Sequence, residues 1–420
     1  MTLSCAPSSA PYPAARTRRV ALYSHDTQGL GHIRRNIALA AALVAADPDT
    51  DVLLLTGAPE ATTLPLPPRT DVITLPTLRK DEQGGYAART LGAPLAQLLE
   101  LRSRMLAATL TAFAPDLLVV DKVARGVDGE LDRALTALRD TATTVVLGLR
   151  EVLDSPHTAR REWDAARTTE AVRDLYDAVW VYGDPSVYDV VAECGLPQEV
   201  ADKVTYTGYL GHGRGAGAVT RTRPVPRQAL PAGPYVLCLV GGGQDGYALA
   251  NAFARAPLPE GHVGVVLTGP YMRRQAREGL RRAAERQPGM TVLEFVPDAE
   301  RFIAGAAAVV SMAGYNSVCE LLAAGTRTLL VPRTAPRAEQ LVRARSLERL
   351  GLVDVLEPDV ADPARLGRWL GGRVTPRPPR GHEVDLDGLA RVPRLAAALL
   401  TTAGSFVPAA HVLELTDVAV

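Results

Sequence analysis

The sequence predicts an α/β protein made of two doubly wound domains that face one another across a cleft. Short apolar runs alternate with helical stretches through most of the 420 residues. Many of these runs are apolar on both faces, as parallel strands covered by helices must be. A stretch rich in Gly, Pro and Arg interrupts the alternation near the middle of the chain. The length also suits two or three domains of roughly 100–200 residues.

The first half of the chain, residues 19–210, is predicted to form an N-terminal Rossmann-like domain. A continuous apolar strand is followed by a glycine turn and by a helix from about Ile33, in which apolar residues recur at helical spacing. Further apolar runs between polar turns extend the pattern. The predicted strands of this half are Arg19–Ser24, Asp51–Leu55, Asp71–Leu75, Asp116–Val120, Thr143–Leu147 and Ala178–Tyr182.

Residues 211–233 show no periodicity and contain many Gly, Pro and Arg residues, which predicts an interdomain linker. A second Rossmann-like domain is expected over 234–372. We expect a disordered tail over 1–18, and an extension over 373–420 with a terminal helix near Leu386–Leu400. The predicted strands of the second half are Tyr235–Val240, His262–Leu267, Thr291–Phe295, Ala308–Ser311 and Thr328–Val331.

Composition and charge exclude several classes of function. The 46 Lys and Arg residues balance 46 Asp and Glu residues, whereas a dedicated nucleic-acid binder normally has a basic excess. Without a global positive field, an anionic ligand has to be held by local geometry. The four cysteines form no C-x-x-C pair, and no apolar stretch approaches the ~18 residues of a membrane span. We therefore expect a cytoplasmic protein without a signal peptide, a transmembrane segment or a nucleic-acid partner, and leave peripheral membrane contact open.

The turn after the first strand carries a candidate catalytic residue. In open α/β sheets, ligands bind beyond the carboxyl ends of the strands. Gly29 and Gly31 let the backbone approach a ligand there, and His32 opens the following helix, where an imidazole can act as a general base near neutral pH. The alternative is that His32 hydrogen-bonds a loop carbonyl. His25 is a second candidate, equally consistent with a loop contact.

Acidic and basic side chains follow two further strands of the first half. Asp121 ends an apolar run, and a carboxylate within reach of His32 would orient the ring and stabilise its protonated form. An N-cap or a salt bridge with Arg125 explains Asp121 equally well. Arg150 and Glu151 also follow a strand end, where they could touch a ligand or form loop salt bridges.

The second half opens with a glycine-rich turn, Gly241–Gly246, between a strand and a helix. Its free amides and the helix dipole are suited to a pyrophosphate. The spacing also matches the dinucleotide motif G-x-G-x-x-G, but the next strand ends in Thr268–Pro270, where that motif requires an acid for the ribose. A nicotinamide enzyme is therefore a poor fit.

Two later segments place carboxylates beside strand ends. Ser317 and Glu320 have the spacing of a capping box, which is a complete structural explanation for both residues. Glu320 could also hydrogen-bond to ribose hydroxyls. Glu339 and Gln340 fit either an ordinary first helical turn or contacts to sugar hydroxyls. The Asp-x-Asp pairs at 47–49 and 385–387 lie before a strand and in the C-terminal extension, so neither is assigned to a metal.

Taken together, the chain from about Arg19 to Leu370 resembles the GT-B glycosyltransferases, in particular family 28, which includes the peptidoglycan N-acetylglucosaminyltransferase. The resemblance is strongest where GGGQ, AGYNSVCELLAAG, LLVP and EQ occur in the family's order and spacing. It implies the GT-B fold, with acceptor binding in the first domain and nucleotide-sugar binding in the second. It also favours ribose binding by Glu320, either besides the cap or in its place.

The resemblance implies roles for individual residues. His32 falls on the Gly-His position at which related enzymes place a catalytic or acceptor-contacting histidine, and His25, Gly31, Arg150 and Glu151 are the acceptor-side candidates. The predicted donor-binding residues are Gly242, Gly243 and Gln244 at the diphosphate, Phe295 and Val296 at the base, Gly314, Asn316 and Ser317 beside the phosphates, Glu320 at the ribose, and Glu339 and Gln340 at the sugar.

The predicted function is an inverting, metal-independent transfer of a sugar from a nucleotide diphosphosugar, with UDP as the expected nucleotide, to a small-molecule acceptor. No cofactor is required. His32, oriented by Asp121, would deprotonate or position the acceptor hydroxyl. The abundance of Arg, Ala and Leu is typical of high-GC coding sequences and associates the acceptor with natural products.

One departure from the family pattern opens an alternative. The family often continues Gly-His-x-x-Pro, whereas here Arg34, Arg35 and Asn36 follow. The resulting Gly-x-Gly-His-x-x-Arg resembles the nucleotide-sugar hydrolase of pseudaminic acid synthesis, which shares the fold and uses water as the acceptor. Hydrolysis, epimerisation on the same fold and nucleotide-sugar binding without catalysis are therefore the alternative functions.

Overall fold

The computed structural model describes residues 17–26, 29–80, 85–214, 229–296, 298–372 and 383–403. The predicted tail lies outside these residues up to position 16, as do 215–228 of the predicted linker and 373–382 and 404–420 of the predicted extension. Among the described helices, none combines the length and the apolar character needed to cross a membrane.

The described strands and helices alternate along both halves of the chain. The strands are β1 (Arg18–Ser24), β2 (Thr50–Thr56), β3 (Thr70–Thr74), β4 (Leu78–Lys80), β5 (Tyr86–Ala88), β6 (Leu117–Asp121), β7 (Thr144–Arg150), β8 (Ala178–Tyr182), β9 (Val204–Tyr206), β10 (Tyr235–Leu239), β11 (Val263–Leu267), β12 (Met290–Leu293), β13 (Ala308–Ser311), β14 (Thr328–Leu330) and β15 (Asp354–Val355). The helices are α1 (Gly31–Ala46), α2 (Leu95–Phe113), α3 (Asp132–Leu138), α4 (Pro156–Ala165), α5 (Thr168–Leu175), α6 (Val190–Cys194), α7 (Gln198–Ala201), α8 (Tyr247–Phe253), α9 (Arg274–Ala284), α10 (Ala299–Gly305), α11 (Tyr315–Ala324), α12 (Glu339–Arg349), α13 (Pro363–Gly371) and α14 (Gly388–Ala403).

Both halves form parallel sheets with a doubly wound strand order. The N-terminal sheet runs β3-β2-β1-β6-β7-β8-β9 and the C-terminal sheet β12-β11-β10-β13-β14-β15. The strand order reverses between β1 and β6 in the first sheet and between β10 and β13 in the second, which opens a crevice beyond the carboxyl ends of these strands. The predicted α/β fold of two doubly wound domains is confirmed.

The core lies on both faces of each sheet. Along β1, Val20 and Leu22 pack into one apolar cluster, and Ala21 and Tyr23 pack into another on the opposite face. This two-sided burial explains why the predicted strands are continuous apolar runs. The strands that the sequence did not predict are β4, β5, β9 and β15, and each has only two or three residues, too few to show a period.

The described part of the C-terminal extension returns to the N-terminal domain. The Tyr209 amide donates to the Asp385 carbonyl at 2.8 Å, and the Asp385 amide donates to Asp184 Oδ2 at 2.8 Å. Helix α14 then packs against α1, with Val392 and Ala396 in the apolar cluster that includes residues of α1. The extension therefore joins the first domain after the chain has completed the second.

Candidate functional site

The N-terminal side of the cleft contains a histidine–carboxylate pair. His32 lies in the first turn of α1 and Asp121 ends β6, so the reversal of strand order between β1 and β6 places them side by side. His32 Nδ1 lies 2.8 Å from Asp121 Oδ2, and the His32 side chain is 15% exposed. With an Nδ1–H that donates to Asp121, Nε2 is left as the acceptor that a general base needs.

Arg35 is a third member of this cluster, to which the sequence analysis assigned no role. Its Nη2 lies 2.6 and 2.5 Å from the two oxygens of Asp121 and 3.0 Å from His32 Nδ1. Burial alone would raise the pKa of Asp121, but the Arg35 guanidinium and the His32 ring hold it below its ordinary value. The alternative salt bridge with Arg125 is not formed, because Arg125 pairs with Asp132.

The loop after β1 adds a second buried carboxyl group beside the histidines. The rings of His25 and His32 are 4.9 Å apart. Asp26 accepts hydrogen bonds from Ser24 Oγ and, at 2.6 Å, from Thr56 Oγ1. Burial raises the pKa of Asp26. The loop that carries the predicted acceptor residue His25 is thus tied to the ends of β1 and β2.

On the opposite side of the cleft, the start of α11 differs from the sequence prediction. The N-cap is Gly314, the helix begins at Tyr315, and no side chain caps it. Ser317 is therefore the third helical residue, and the capping-box explanation of Ser317 and Glu320 is wrong. The apolar pattern located the helix but not its first residue, because Gly314 and Tyr315 carry no periodic signal.

Two residues of α11 contact the N-terminal domain. Glu320 is buried, and its Oε1 accepts a hydrogen bond from Arg34 Nη2 at 2.9 Å. Asn316 Nδ2 donates to the carbonyl of Gly31 at 2.9 Å. The candidate ribose and phosphate residues of the second domain therefore lie against the turn that carries His32.

The predicted linker also contributes to this cluster. Arg214 Nη2 donates to Asn316 Oδ1 at 2.9 Å, and Arg214 Nη1 lies 3.8 Å from Glu320 Oε1. The composition of this segment has no periodicity and therefore predicted only a linker. Its contact with α11 follows from the way the two domains are placed.

The glycine-rich turn lies between β10 and α8, as predicted. Gly243 has φ +90°, and a Cβ at this position would be 2.1 Å from the Thr268 carbonyl oxygen, so only glycine fits there. Gly242 is partly buried and Gln244 is exposed. Among the predicted base-binding residues, Phe295 is 49% exposed and follows β12. Val296 beside it is buried.

A second contact joins α12 to the carboxyl end of β7. Glu339 is the first residue of α12, and its Oε2 lies 2.6 Å from Arg150 Nη2. Burial alone would raise the pKa of Glu339, but Arg150 and other cations lower it to about 2. Gln340 Oε1 accepts a hydrogen bond from the Arg333 amide at 3.0 Å.

Glu151 has a different environment from the one predicted. Its side chain is fully buried, and Oε1 lies 2.6 Å from Arg343 Nε while Oε2 accepts from Arg343 Nη2 at 3.1 Å. Tyr209 donates a further hydrogen bond at 3.0 Å. With both oxygens occupied, Glu151 joins the two domains and has no surface for an acceptor. This corrects its assignment as an acceptor-binding residue.

The geometry thus brings some of the predicted residues together and leaves others apart. The residues that meet at the first turn of α1 are His25, Gly31, His32, Asp121, Asn316 and Glu320. A separate contact joins Arg150 to Glu339. Gly242, Gly243, Gln244, Phe295 and Val296 lie on loops of the second domain after β10 and β12. Among the described residues, no group of three His, Cys, Asp or Glu side chains has the arrangement of a metal site.

The fold is that of the GT-B glycosyltransferases. The glycosyltransferase SnogD from Streptomyces nogalater is 16% identical, with 93% of this chain and 98% of that chain covered and a TM-score of 0.52. MurG from Acinetobacter baumannii is 14% identical, with 93% and 100% covered and a TM-score of 0.51. A protein described as a UDP-N-acetylglucosamine 2-epimerase from Listeria monocytogenes is 12% identical, with 94% and 98% covered and a TM-score of 0.57.

The family relationship rests on the second domain. The family model described as "Glycosyltransferase family 28 C-terminal domain" matches residues 237–371. The UDP-N-acetylglucosamine--N-acetylmuramyl-(pentapeptide) pyrophosphoryl-undecaprenol N-acetylglucosamine transferase of Xanthomonas campestris pv. campestris (strain B100) is 33% identical over an alignment of 188 residues, and the alignment covers 38% of this chain. The match spans 43% of that relative's length. The chain therefore has the GT-B fold, and its C-terminal domain matches the model of the glycosyltransferase family 28 C-terminal domain.

Proposed function

We propose that the protein is a glycosyltransferase that moves a sugar from a nucleotide diphosphosugar, with UDP as the expected nucleotide, to a small-molecule acceptor. The observation that carries the proposal is the His32–Asp121 pair, which lies at the switch point of the first domain. Across the cleft lies the second domain, which matches the family 28 model. A base and a sugar donor at facing crevices are the two requirements of this reaction.

In the proposed mechanism, His32 Nε2 takes the proton of the acceptor hydroxyl as the acceptor oxygen attacks the anomeric carbon. The bond from that carbon to the diphosphate oxygen breaks in the same displacement, so the anomeric configuration inverts. Asp121 holds Nδ1 and stabilises the imidazolium that forms. The Arg35 pair keeps the Asp121 carboxylate ionised throughout.

Groups of this chain would stabilise the departing diphosphate without a metal. No side chain caps the N-terminus of α11, so the amides of its first turn would be available to the diphosphate and the helix dipole would favour it. The guanidinium groups of Arg34 and Arg214 lie beside that helix. Amides of the Gly242–Gln244 turn would supply further donors. Because the formal net charge of the chain is +0, the diphosphate would be attracted by these local positive groups and not by a positive field of the whole protein.

We further propose a natural product as the acceptor, with hydrolysis as the second candidate reaction. A natural-product acceptor is supported by the GT-B neighbours described as the glycosyltransferase of kitacinnamycin and the calicheamicin glycosyltransferase CalG4. Hydrolysis is the second candidate, because Arg35 occupies the position of the family's proline and contacts both members of the catalytic pair. Water would then take the place of the acceptor hydroxyl.

Nucleotide binding is tested by thermal shift with UDP, dTDP, GDP and ADP. Incubation with a UDP-sugar and no acceptor then separates the reactions: rapid release of free sugar indicates the hydrolase, and an isomerised sugar indicates the epimerase. An acceptor screen by mass spectrometry separates a transferase from a protein that only binds nucleotide sugars. Absence of a thermal shift with all four nucleotides would contradict the proposed function.

The role of His32 is tested by His32→Ala. We expect turnover to fall by about 10²–10⁴-fold, the usual contribution of a general base, while the UDP-induced thermal shift stays. The matched control is His212→Ala, because His212 forms a similar 2.9 Å contact with Asp387 on the exposed surface. Near-full turnover of the His32 variant would show that the base is another group.

A further inference from the structure

Lys122, directly after Asp121, has an unusual backbone conformation for its residue type. Its φ is +70°, in the left-handed region that glycine and asparagine normally occupy. The conformation is held by the Lys122 amide, which donates to the Gly148 carbonyl at 2.8 Å. Strained backbone of this kind clusters at ligand-binding sites. The conformation of Lys122 turns the chain at the carboxyl end of β6, inside the crevice.

The charges around Lys122 come from both domains and are already matched. Arg150 pairs with Glu339, and Arg337 pairs with Glu162 at 2.6 Å. Among the described residues, by contrast, no hydrogen bond or ion pair holds the partly buried Lys122 ammonium. Lys122 is therefore the unmatched positive charge of this part of the cleft.

Desolvation makes that unmatched charge costly. Burial, together with the charge of Arg150, lowers the pKa of the Lys122 ammonium to about 8. The group is still mostly protonated at neutral pH, so an incoming anion would meet a cation that is only partly exposed to water. A charge-assisted hydrogen bond formed there is stronger than one formed at an exposed lysine.

The other lysine with a described side chain shows what a structural lysine looks like in this protein. Lys203 Nζ donates to the carbonyls of Val172, Arg173 and Tyr176, at 2.9, 2.9 and 2.6 Å. That ammonium has three acceptors and closes the end of α5. Lys122 has no such set, although it lies deeper in the molecule than a freely hydrated surface lysine.

On the basis of the proposed function, we propose that Lys122 binds an anionic group of the acceptor, namely a carboxylate or a phosphate monoester. Lys122 and Arg150 belong to the N-terminal domain, which is the acceptor side of the proposed reaction. The groups suited to the donor diphosphate lie elsewhere, at α11 and beside Arg34. The acceptor would thus be anchored next to the pair that deprotonates its hydroxyl.

Pyridoxal 5′-phosphate with borohydride is a direct probe, because it carries both a phosphate and an amine-reactive aldehyde. The chain has only three lysines, Lys80, Lys122 and Lys203, so mass spectrometry resolves every labelled site. At about pH 7.5 we expect Lys122 in the folded protein to react on the order of a hundredfold faster than in the urea-unfolded chain, since more of its amine is neutral. Failure of the folded protein to be labelled at Lys122 would overturn the proposal, because the ammonium would then be closed to an anionic ligand.

Competition identifies the ligand and its source. Inorganic phosphate and acetate should slow labelling of Lys122 without changing that of Lys203, and UDP should not slow it. If UDP protects Lys122 from labelling, the anion at this site belongs to the donor. If neither phosphate nor acetate protects Lys122, there is no anion site. Either result overturns the proposal. A comparison of UDP-glucuronate with UDP-glucose tests whether the anion belongs to a donor sugar. Stronger protection of Lys122 from labelling by UDP-glucuronate would also overturn the acceptor assignment.

The variants Lys122→Met and Lys122→Arg complete the test. The Met variant should lose the thermal shift caused by inorganic phosphate and keep the shift caused by UDP, and the Arg variant should keep both. A phosphate shift unchanged in the Met variant would contradict the site. The UDP shift reports on the proposed function separately, so the two proposals can fail independently.

Discussion

At the scale of single residues, Arg35 distinguishes the His32–Asp121 pair from an isolated dyad. A buried carboxylate without a countercharge would be costly, and Arg35 supplies that countercharge through both oxygens of Asp121. The side chain lies on the same face of α1 as His32, three residues further on. The cluster therefore has a positioning contact, from Asp121 to His32, and a charge-balancing contact, from Arg35 to Asp121.

A variant cycle separates these two contacts. Arg35→Met and Asp121→Leu should each lower the free energy of unfolding by about 3–5 kcal/mol, because each leaves a buried charge unpaired. The double variant should regain most of that stability, because no buried charge is left unpaired. It should not regain the turnover, because no carboxylate then orients His32 through Nδ1. Urea unfolding and transferase assays measure the two effects. A double variant with native turnover would contradict the positioning role of Asp121.

The matched control for that cycle is another buried pair of the same domain. Arg102 and Glu130 are fully buried, and Arg102 Nη2 donates to Glu130 Oε1 at 2.9 Å. Arg102→Met with Glu130→Leu should show the same pattern of stability, whereas turnover should survive in the double variant. Loss of turnover there would mean that the assay reports general destabilisation.

At the scale of elements, the beginning of α11 determines what its polar residues can do. Because the helix begins at Tyr315, the Ser317 hydroxyl is not needed to satisfy an amide of the first turn. A true cap is found at α13, where Asp362 accepts a hydrogen bond from the Arg365 amide at 2.7 Å. Ser317 is thus available for the phosphate contact that the family resemblance implies.

Alanine substitution at these two positions distinguishes a capping residue from a binding residue. Asp362→Ala should lower the free energy of unfolding by about 1 kcal/mol, the usual value of an N-cap, and leave UDP binding unchanged. Ser317→Ala should change stability by less than about 0.5 kcal/mol and weaken UDP binding. Chemical unfolding and UDP titration measure both quantities. A loss of stability at Ser317 with unchanged UDP affinity would contradict this assignment.

At the scale of the whole molecule, ion pairs join the two domains on one side of the cleft. Glu151 with Arg343 is fully buried, and Arg150 with Glu339 is nearly so. Each of these pairs takes one partner from the carboxyl end of β7, where Arg150 is the last strand residue and Glu151 follows it, and the other from α12. The relative position of the domains therefore depends on ionised carboxylates, and hence on pH.

Glu339→Gln tests this dependence. The pKa of Glu339 is about 2 in the folded protein and about 4.3 in an unfolded chain, so its ionisation contributes about 3 kcal/mol of stability above pH 4.3. The contribution is lost as the pH falls toward 2, because protonation then favours the unfolded chain. We expect the difference in unfolding free energy between the native protein and the variant to shrink from pH 7 to pH 3 in urea titrations.

A surface pair provides the control for this titration. Arg274 and Glu278 form a 2.8 Å contact on the exposed face of α9. Glu278→Gln should change stability by less than about 0.5 kcal/mol at either pH, since exposed pairs contribute little. A Glu339 variant that behaves like this control would show that the contact with Arg150 does not hold the domains together.

The sequence by itself determined the two doubly wound domains and placed His32 and Asp121 at the rim of one crevice, and it left open whether Asp121 contacts His32. Both follow from local signals, because apolar runs mark buried strands and parallel strands end at one edge of a sheet. The linker composition likewise predicted a domain boundary within residues 211–233. The exact start of α11 was not available from the pattern, since its N-cap is a glycine without a side-chain signal.

Only the tertiary structure decided the partners of Glu151, Glu320 and Arg214. These contacts join residues far apart in the chain, such as Glu151 and Arg343 at a separation of 192 positions, and they exist only when the domains dock. Periodicity and motif spacing describe one element at a time, whereas an ion pair depends on where a second element places its side chain. The sequence therefore located the crevices at the carboxyl ends of the strands. The packing of the two domains determined which charged side chains pair beside those crevices.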